Sequence, residues 1–194
     1  MAGIIILAAG NSQRLGSPKQ LLLYNGKSLL QHSIDTAIAS HCKPVIVVLG
    51  ANETKILSEI NTRDIEIIQN KYWEEGMASS IRCGITHLQK DPNITSAILM
   101  LCDQPLVTAS LLMELVKRKE ETKKHIITCF YNEAFGPPAL FDKSLFAELL
   151  ALEGHEGAKK LLIKNPDLVD SIPFAKGEID IDTMMDYENL LKKY

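Results

Sequence analysis

The sequence lacks a surplus of either charge. Its 21 Lys and Arg set against 24 Asp and Glu leave a net charge of −3, which gives no overall drive toward nucleic acid or an anionic membrane. Any phosphate chemistry has to come from a local cluster of basic groups. It also lacks a long apolar run. The opening Ile4-Ile5-Ile6-Leu7-Ala8-Ala9 is far too short to span a bilayer, no basic leader precedes it, and no later segment approaches the length of a membrane helix. These absences predict a cytoplasmic protein with no nucleic-acid or membrane partner. Paired cysteines are missing too. Cys42, Cys83, Cys102 and Cys129 are scattered without a CxxC spacing, so buried, reduced thiols are expected in place of zinc or a disulfide.

Two glycine motifs are absent as well. No GxGxxG occurs, so hydride chemistry loses its main support. A Walker A loop needs four residues between its glycines, whereas five separate Gly10 from Gly16 and Ser17-Pro18 follows. Gly26-Lys27-Ser28 resembles a Walker tail, but Leu21 stands where the first glycine belongs. What remains is ordinary for a globular protein: 46% hydrophobic and 23% charged residues over a length of 194. A chain of that size buries about 70% of its unfolded surface. With no long linker, repeat or low-complexity stretch, residues 1–194 are expected to form one domain.

Short aliphatic runs alternate with helical patterns. Gly3–Ala8, Pro44–Leu49, Ile65–Gln69, Ser96–Cys102 and Ile126–Tyr131 read as strands. Ser28–Ser40, Met77–Gln89 and Thr108–Lys119 have helical spacing, and Asn52 is placed to cap a helix through about Ile60. Strands apolar on both faces and separated by helices argue for a mostly parallel sheet covered on both sides.

The most informative segment is the loop Leu7-Ala8-Ala9-Gly10-Asn11-Ser12-Gln13-Arg14-Leu15-Gly16-Ser17-Pro18-Lys19, directly after the first strand. Small residues let the backbone approach a phosphate, and free N–H groups of such a turn make an anion nest. Arg14 and Lys19 would add charge-assisted bonds. The same composition also suits an ordinary strand-to-helix turn carrying two solvated cations.

Two acidic segments follow. Asp103 ends an apolar strand and is followed by Gln104-Pro105, which turns the chain and leaves the carboxylate at the sheet's carboxyl edge. That position suits either a turn aspartate or a magnesium ligand. Glu178-Ile179-Asp180-Ile181-Asp182 alternates acids with isoleucines and reads as an extended strand with its acids on one face. It is either an edge strand with a solvated face or a cation site that relieves mutual repulsion. Thr183 through Asp186 then reads as a capping box opening the last helix.

The stretch L-A-A-G-N-S-Q-R-L-G-S-P-K-Q-L-L, together with Cys102-Asp103-Gln104-Pro105-Leu106-Val107 and Asp180-Ile181-Asp182-Thr183, resembles the nucleotidyltransferases related to the molybdenum cofactor guanylyl- and cytidylyltransferases. Ala8-Ala9-Gly10 resembles the cytidylyl branch. The resemblance implies a Rossmann-like α/β three-layer sandwich of the nucleotide-diphospho-sugar transferase type. It also implies that Leu7, Ala8, Ala9, Gly10, Ser12, Arg14, Gly16 and Lys19 wrap a nucleoside triphosphate, with Arg14 and Lys19 on its phosphates. Asp103 would be the metal aspartate, and Asp182 or, failing that, Asp180 the second magnesium ligand. Gly76 and Ser80, in Gly76-Met77-Ala78-Ser79-Ser80, resemble the segment that receives base and ribose. A glycine-led, serine-capped helix start explains them equally. Trp73 is expected to pack, with stacking on a ring as the alternative.

On the acceptor side, Pro137 replaces a polar residue in Gly136-Pro137-Pro138. His155 and Lys159 replace Asp and Arg in Gly154-His155-Glu156-Gly157-Ala158-Lys159, and His155 reads as a surface or helix-capping residue. The implied reaction moves CMP from CTP, or a nucleotide from another NTP, to the terminal phosphate of molybdopterin, with Mg2+ as cofactor and Arg14, Lys19 and Asp103 at the reacting phosphates. A sugar 1-phosphate is the alternative acceptor. A reading of another class is a non-catalytic carrier that hands cofactor to a molybdoenzyme.

Overall fold

A computed structural model describes residues 1–155 and 157–194. The elements in chain order are β1 Ala2–Ala8, the small hairpin β2 Leu23–Tyr24 and β3 Lys27–Ser28, α1 Leu29–Ala39, β4 Val45–Leu49, α2 Glu53–Leu57, β5 Glu66–Gln69, α3 Met77–Leu88, β6 Ser96–Leu101, α4 Ala109–Thr122, β7 Ile126–Tyr131, β8 Ala134–Asp142, α5 Phe146–Leu150, α6 Lys159–Lys164, β9 Val169–Pro173 and α7 Met184–Lys193. Seven strands form one sheet in the order β5-β4-β1-β6-β8-β7-β9. β5, β4, β1 and β6 pair in parallel, and β7 pairs in parallel with β9. β8 runs against both of its neighbours.

The alternation within β1 builds both layers. Ile4, Ile6 and Ala8 face one core with Leu30, Ile34 and Ala37 of α1 and Leu111, Leu112 and Leu115 of α4. Ile5 and Leu7 face the other, with Ile81, Ile85 and Leu88 of α3, Phe146 and Leu149 of α5, and Leu161 and Leu162 of α6. Side chains two apart share a face of a strand, so one continuous aliphatic run serves two cores. Each such burial contributes about 1.5–3 kcal/mol. No helix among the described residues is long and apolar enough to cross a membrane.

The chain leaves β1, builds outward through β4 and β5, then returns to place β6 on the other side of β1. Winding reverses between β1 and β6, and a crevice opens at the carboxyl ends of strands where that happens. Both informative segments, the loop after Ala8 and Asp103, leave the sheet at that crevice.

Three local expectations are corrected. The helix after Asn52 stops at Leu57, and Asn52 makes no side-chain cap because its backbone is left-handed, with φ 59°. Residues 178–182 are not a strand. A 3-10 turn at Ala175–Glu178 precedes an unpaired extended stretch that lies across the strand ends. The isoleucines still face inward, Ile181 being wholly buried with Tyr24, Leu29 and Leu190. All four cysteines are free, but only Cys102 and Cys129 are buried; Cys42 and Cys83 are half-buried on the periphery.

Phe141 has no exposed surface and is among the largest fully buried side chains. Phe141→Ala should lower unfolding free energy by about 3–5 kcal/mol in urea titrations. A loss under about 1 kcal/mol would contradict the packing of this layer.

Candidate active site

The loop after β1 is held open by its own side chains. Gln20 is buried, and its amide donates to the carbonyls of Ala8 at 2.8 Å and Gly10 at 2.9 Å. The buried Ala8 carbonyl would otherwise be stranded at the sheet edge, at a cost of about 1–3 kcal/mol. Ser12, at φ 55°, accepts a 2.9 Å bond from the Lys19 backbone N–H, and the 3-10 turn Gln13–Leu15 ends at Gly16 with φ 68°. Across the crevice the Ala51 N–H donates to Ala9 O at 3.0 Å, which ties this loop to the end of β4.

The second half of the site arrives from far along the chain. Gln104 Nε2 donates to Gly177 O at 2.9 Å and to the Tyr131 hydroxyl at 3.1 Å, and the Ile181 N–H donates to Asp103 O at 3.1 Å. These bonds lay residues 180–182 beside the end of β6. The Lys19 ammonium then donates to Asp103 Oδ2 at 2.5 Å, Asp182 Oδ1 at 3.0 Å and Ile181 O at 3.3 Å. Arg14 donates to the other oxygen of Asp182 at 3.1 Å from the rim, its side chain 71% exposed.

The electrostatics follow from this crowding. Burial alone would favour a neutral Lys19 amine, but the charge of Asp103 and the bonds to Asp103 and Asp182 outweigh it and hold the group above its ordinary range. The bond from Lys19 holds Asp182 below the usual carboxylate range. Asp180 goes the other way: burial and then repulsion from Asp103 and Asp182 raise it. Burial and the Asp103 charge push the Cys102 thiol up to about 12, so it stays protonated and inert. Asp103 Oδ1 is buried and, among the described residues, has no hydrogen-bond partner.

That orphaned oxygen and the mutual repulsion of the acids around it are what a divalent cation would satisfy. Among the described residues no cluster of three or more His, Cys, Asp or Glu side chains can hold a metal ion by itself. Magnesium commonly takes one or two carboxylates and draws the rest of its shell from phosphate and water, so the donor set fits a metal that arrives with a phosphorylated ligand.

A cleft of about 550 Å³ opens beside these groups. Its lining includes Leu7, Ala8, Ala9, Gly10, Lys19, Gly76, Ser80 and Asp103 of the expected site residues. Ser12 and Gly16 shape the loop, and Arg14, Asp180 and Asp182 are not part of the lining. Gly76 has φ 104°, and a Cβ there would meet Gly154 O at 2.6 Å and His155 Nδ1 at 2.7 Å. Ser80 is buried and accepts a 3.0 Å bond from Asn70 Nδ2, which also donates to Ser79. Trp73 and His155 line the same cleft. Trp73 is half-buried there, packed on Gly50, where a Cβ would meet Trp73 Cβ at 2.6 Å and Ala9 O at 2.9 Å. A second cavity of about 240 Å³ shares Leu7, Met77 and Leu101 with the cleft and is lined also by Gly136, Pro137 and Lys159. Glu156 lies outside the described residues.

Sequence reading passed over Gln20, Gln104 and Asn70. Gln20 directly follows Lys19 and Gln104 directly follows Asp103, but a glutamine's hydrogen-bond partners leave no mark on spacing or periodicity.

A crevice at a sheet's switch point, with cations and acids facing each other across a small-residue loop, is the layout of α/β proteins that bind phosphorylated ligands. Within that class the chain belongs to the MobA-like NTP transferase domain family, whose model matches residues 4–169. Its relatives carry diverse names. It is 30% identical to nicotine blue oxidoreductase of Paenarthrobacter nicotinovorans, over 96% of this chain and 95% of that protein. It is 24% identical to molybdenum cofactor cytidylyltransferase of Escherichia coli, over 98% and 95%. Among solved structures, the manganese complex of Rv0371c from Mycobacterium tuberculosis is 27% identical and superimposes with a TM-score of 0.83, covering 100% of this chain and 99% of that one.

Gly50→Ala should push the lone tryptophan, Trp73, out of its seat, shift its fluorescence to the red and cost about 1–3 kcal/mol of stability. An unchanged emission spectrum would show that the cleft wall is not set by this contact.

Proposed function

We propose that the chain is a magnesium-dependent cytidylyltransferase that moves CMP from CTP to the terminal phosphate of molybdopterin and releases pyrophosphate. The observation that carries this reading is the meeting of Lys19, Asp103 and Asp182 beside the β1–β6 cleft. Membership of a nucleotidyltransferase family supports the reaction type. The relative named for molybdenum cofactor cytidylyl transfer supports CTP and the pterin, and the manganese complex supports a divalent ion.

In this reading Leu7, Ala8, Ala9 and Gly10 bring their backbone to the triphosphate, with Ser12 and Gly16 fixing the turn. Gly76 and Ser80 face base and ribose. Lys19, with Arg14 from the rim, binds the β- and γ-phosphates and stabilises pyrophosphate as it leaves. An oxygen of the acceptor phosphate attacks the α-phosphorus and the α–β anhydride bond breaks. The attacking oxygen is already anionic, so no general base is required, and catalysis comes from positioning and charge neutralisation. Asp103 with Asp182, or Asp180 as the second choice, would hold the Mg2+ that neutralises phosphate charge. The acceptor enters from the side of the smaller cavity. Residues 1–194 act as one domain in the cytoplasm, and a molybdoenzyme receives the product.

A second reading, an oxidoreductase in place of a transferase, takes its support from the 30% identity to nicotine blue oxidoreductase. The two separate cleanly in one experiment. Pyrophosphate release is followed with each NTP, with and without molybdopterin, beside a parallel assay of NAD(P)H oxidation. Release confined to CTP plus the pterin is expected. Asp103→Ala should lower turnover at least a thousandfold, about 4 kcal/mol of transition-state stabilisation. Nucleotide binding without release would favour a carrier, and NAD(P)H oxidation without release would favour the oxidoreductase.

A further inference from the structure

We infer that Lys19 is a placeholder: its ammonium sits between Asp103 and Asp182, the two acids that would hold a divalent cation, so cation and lysine compete for the same carboxylates until a nucleotide draws the lysine away. The inference rests on the proposed nucleotidyltransferase site and goes beyond it.

An ammonium has three N–H donors and no acceptor. All three are matched here, by Asp103 Oδ2, Asp182 Oδ1 and Ile181 O. In this arrangement Lys19 has no donor left for a phosphate, although it lines the cleft where one would sit. Its side chain is only 17% exposed, against 71% for Arg14, so it fills the gap between the acids while Arg14 sits outside. Magnesium binds oxygen at about 2.0–2.1 Å, shorter than either ammonium contact, and two cations in one gap repel. One must leave. The lysine is on a flexible four-carbon stem and can turn to the triphosphate, whose oxygens replace the acids it gives up. Nucleotide therefore opens the cation position, and metal and nucleotide bind with positive coupling that is reciprocal by linkage.

The test is a titration of Mn2+ alone, free ion read by electron paramagnetic resonance, on the full chain and on Lys19→Gln, Lys19→Arg, Arg14→Gln and Asp103→Asn. Lys19→Gln should bind Mn2+ at least tenfold tighter than the unmodified protein. Lys19→Arg should stay close to it, and Arg14→Gln should gain far less. Equal or weaker binding by Lys19→Gln overturns the inference, as does an equal gain in Arg14→Gln, which would reveal a general charge effect. Lys19→Gln leaves two acids face to face and loses stability. Should it be unfolded without metal, a rise in Tm on adding Mn2+ that exceeds that of the unmodified chain carries the same point, and no rise overturns it. The functional reading fails separately. If CTP binds but Mn2+ affinity with CTP is the same for Asp103→Asn as for the unmodified chain, the metal role of Asp103 is wrong. Equal binding of Mn2+ by the unmodified chain and Lys19→Gln removes the placeholder alone.

Discussion

Two carboxylates from distant parts of the chain share one ammonium. Lys19 lies 84 positions from Asp103 and 163 from Asp182, and its ammonium offsets the repulsion between the two acids that the fold sets side by side. Bringing like charges together in a half-buried crevice is unfavourable unless an opposite charge with good hydrogen bonds offsets it. The rest of the site is arranged to make that contact. The parallel packing of β1 against β6 sets the two strand ends side by side, Gln20 holds the loop that carries Lys19, and Gln104 holds the turn that delivers Asp182.

This also explains why the buried amides matter as much as the charges. Gln20 satisfies two carbonyls where β1 stops pairing, and Gln104 spans from the end of β6 to Gly177. Each fixes a loop through a neutral bond, leaving the charged side chains beside them available to exchange partners. A site held together only by its ion pairs could not release Lys19 without coming apart.

Much of the fold was legible because it rests on periodicity. The aliphatic runs at 3–8, 44–49 and 96–102 become adjacent parallel strands, and the amphipathic patterns at 28–40, 77–89 and 108–119 become the helices that cover them. The first loop and Asp103 were legible as well, since strand ends in a parallel sheet converge. The acidic stretch 178–182 was read wrongly as a strand. Alternation reports which side chains face inward, and Ile181 does, but it cannot say whether a neighbouring strand is there to pair with. Trp73, expected to pack with stacking on a ring as the alternative, is half-buried against Gly50, and His155, expected at the surface, is exposed; both also border the cleft. Their placement depends on close approach at Gly50 and Gly76, a relation between distant segments that residue type does not encode.

The central claim is that the first loop, Asp103 and the Asp180–Asp182 stretch enclose one triphosphate with its divalent ion. Anomalous diffraction from a crystal grown with Mn2+ and a non-hydrolysable CTP analogue tests it most directly. Manganese density is expected within coordinating distance of the Asp103 carboxylate, with the phosphates lying between the metal and the loop after β1. Manganese and phosphates bound together elsewhere, with Asp103 still paired to Lys19, would contradict it.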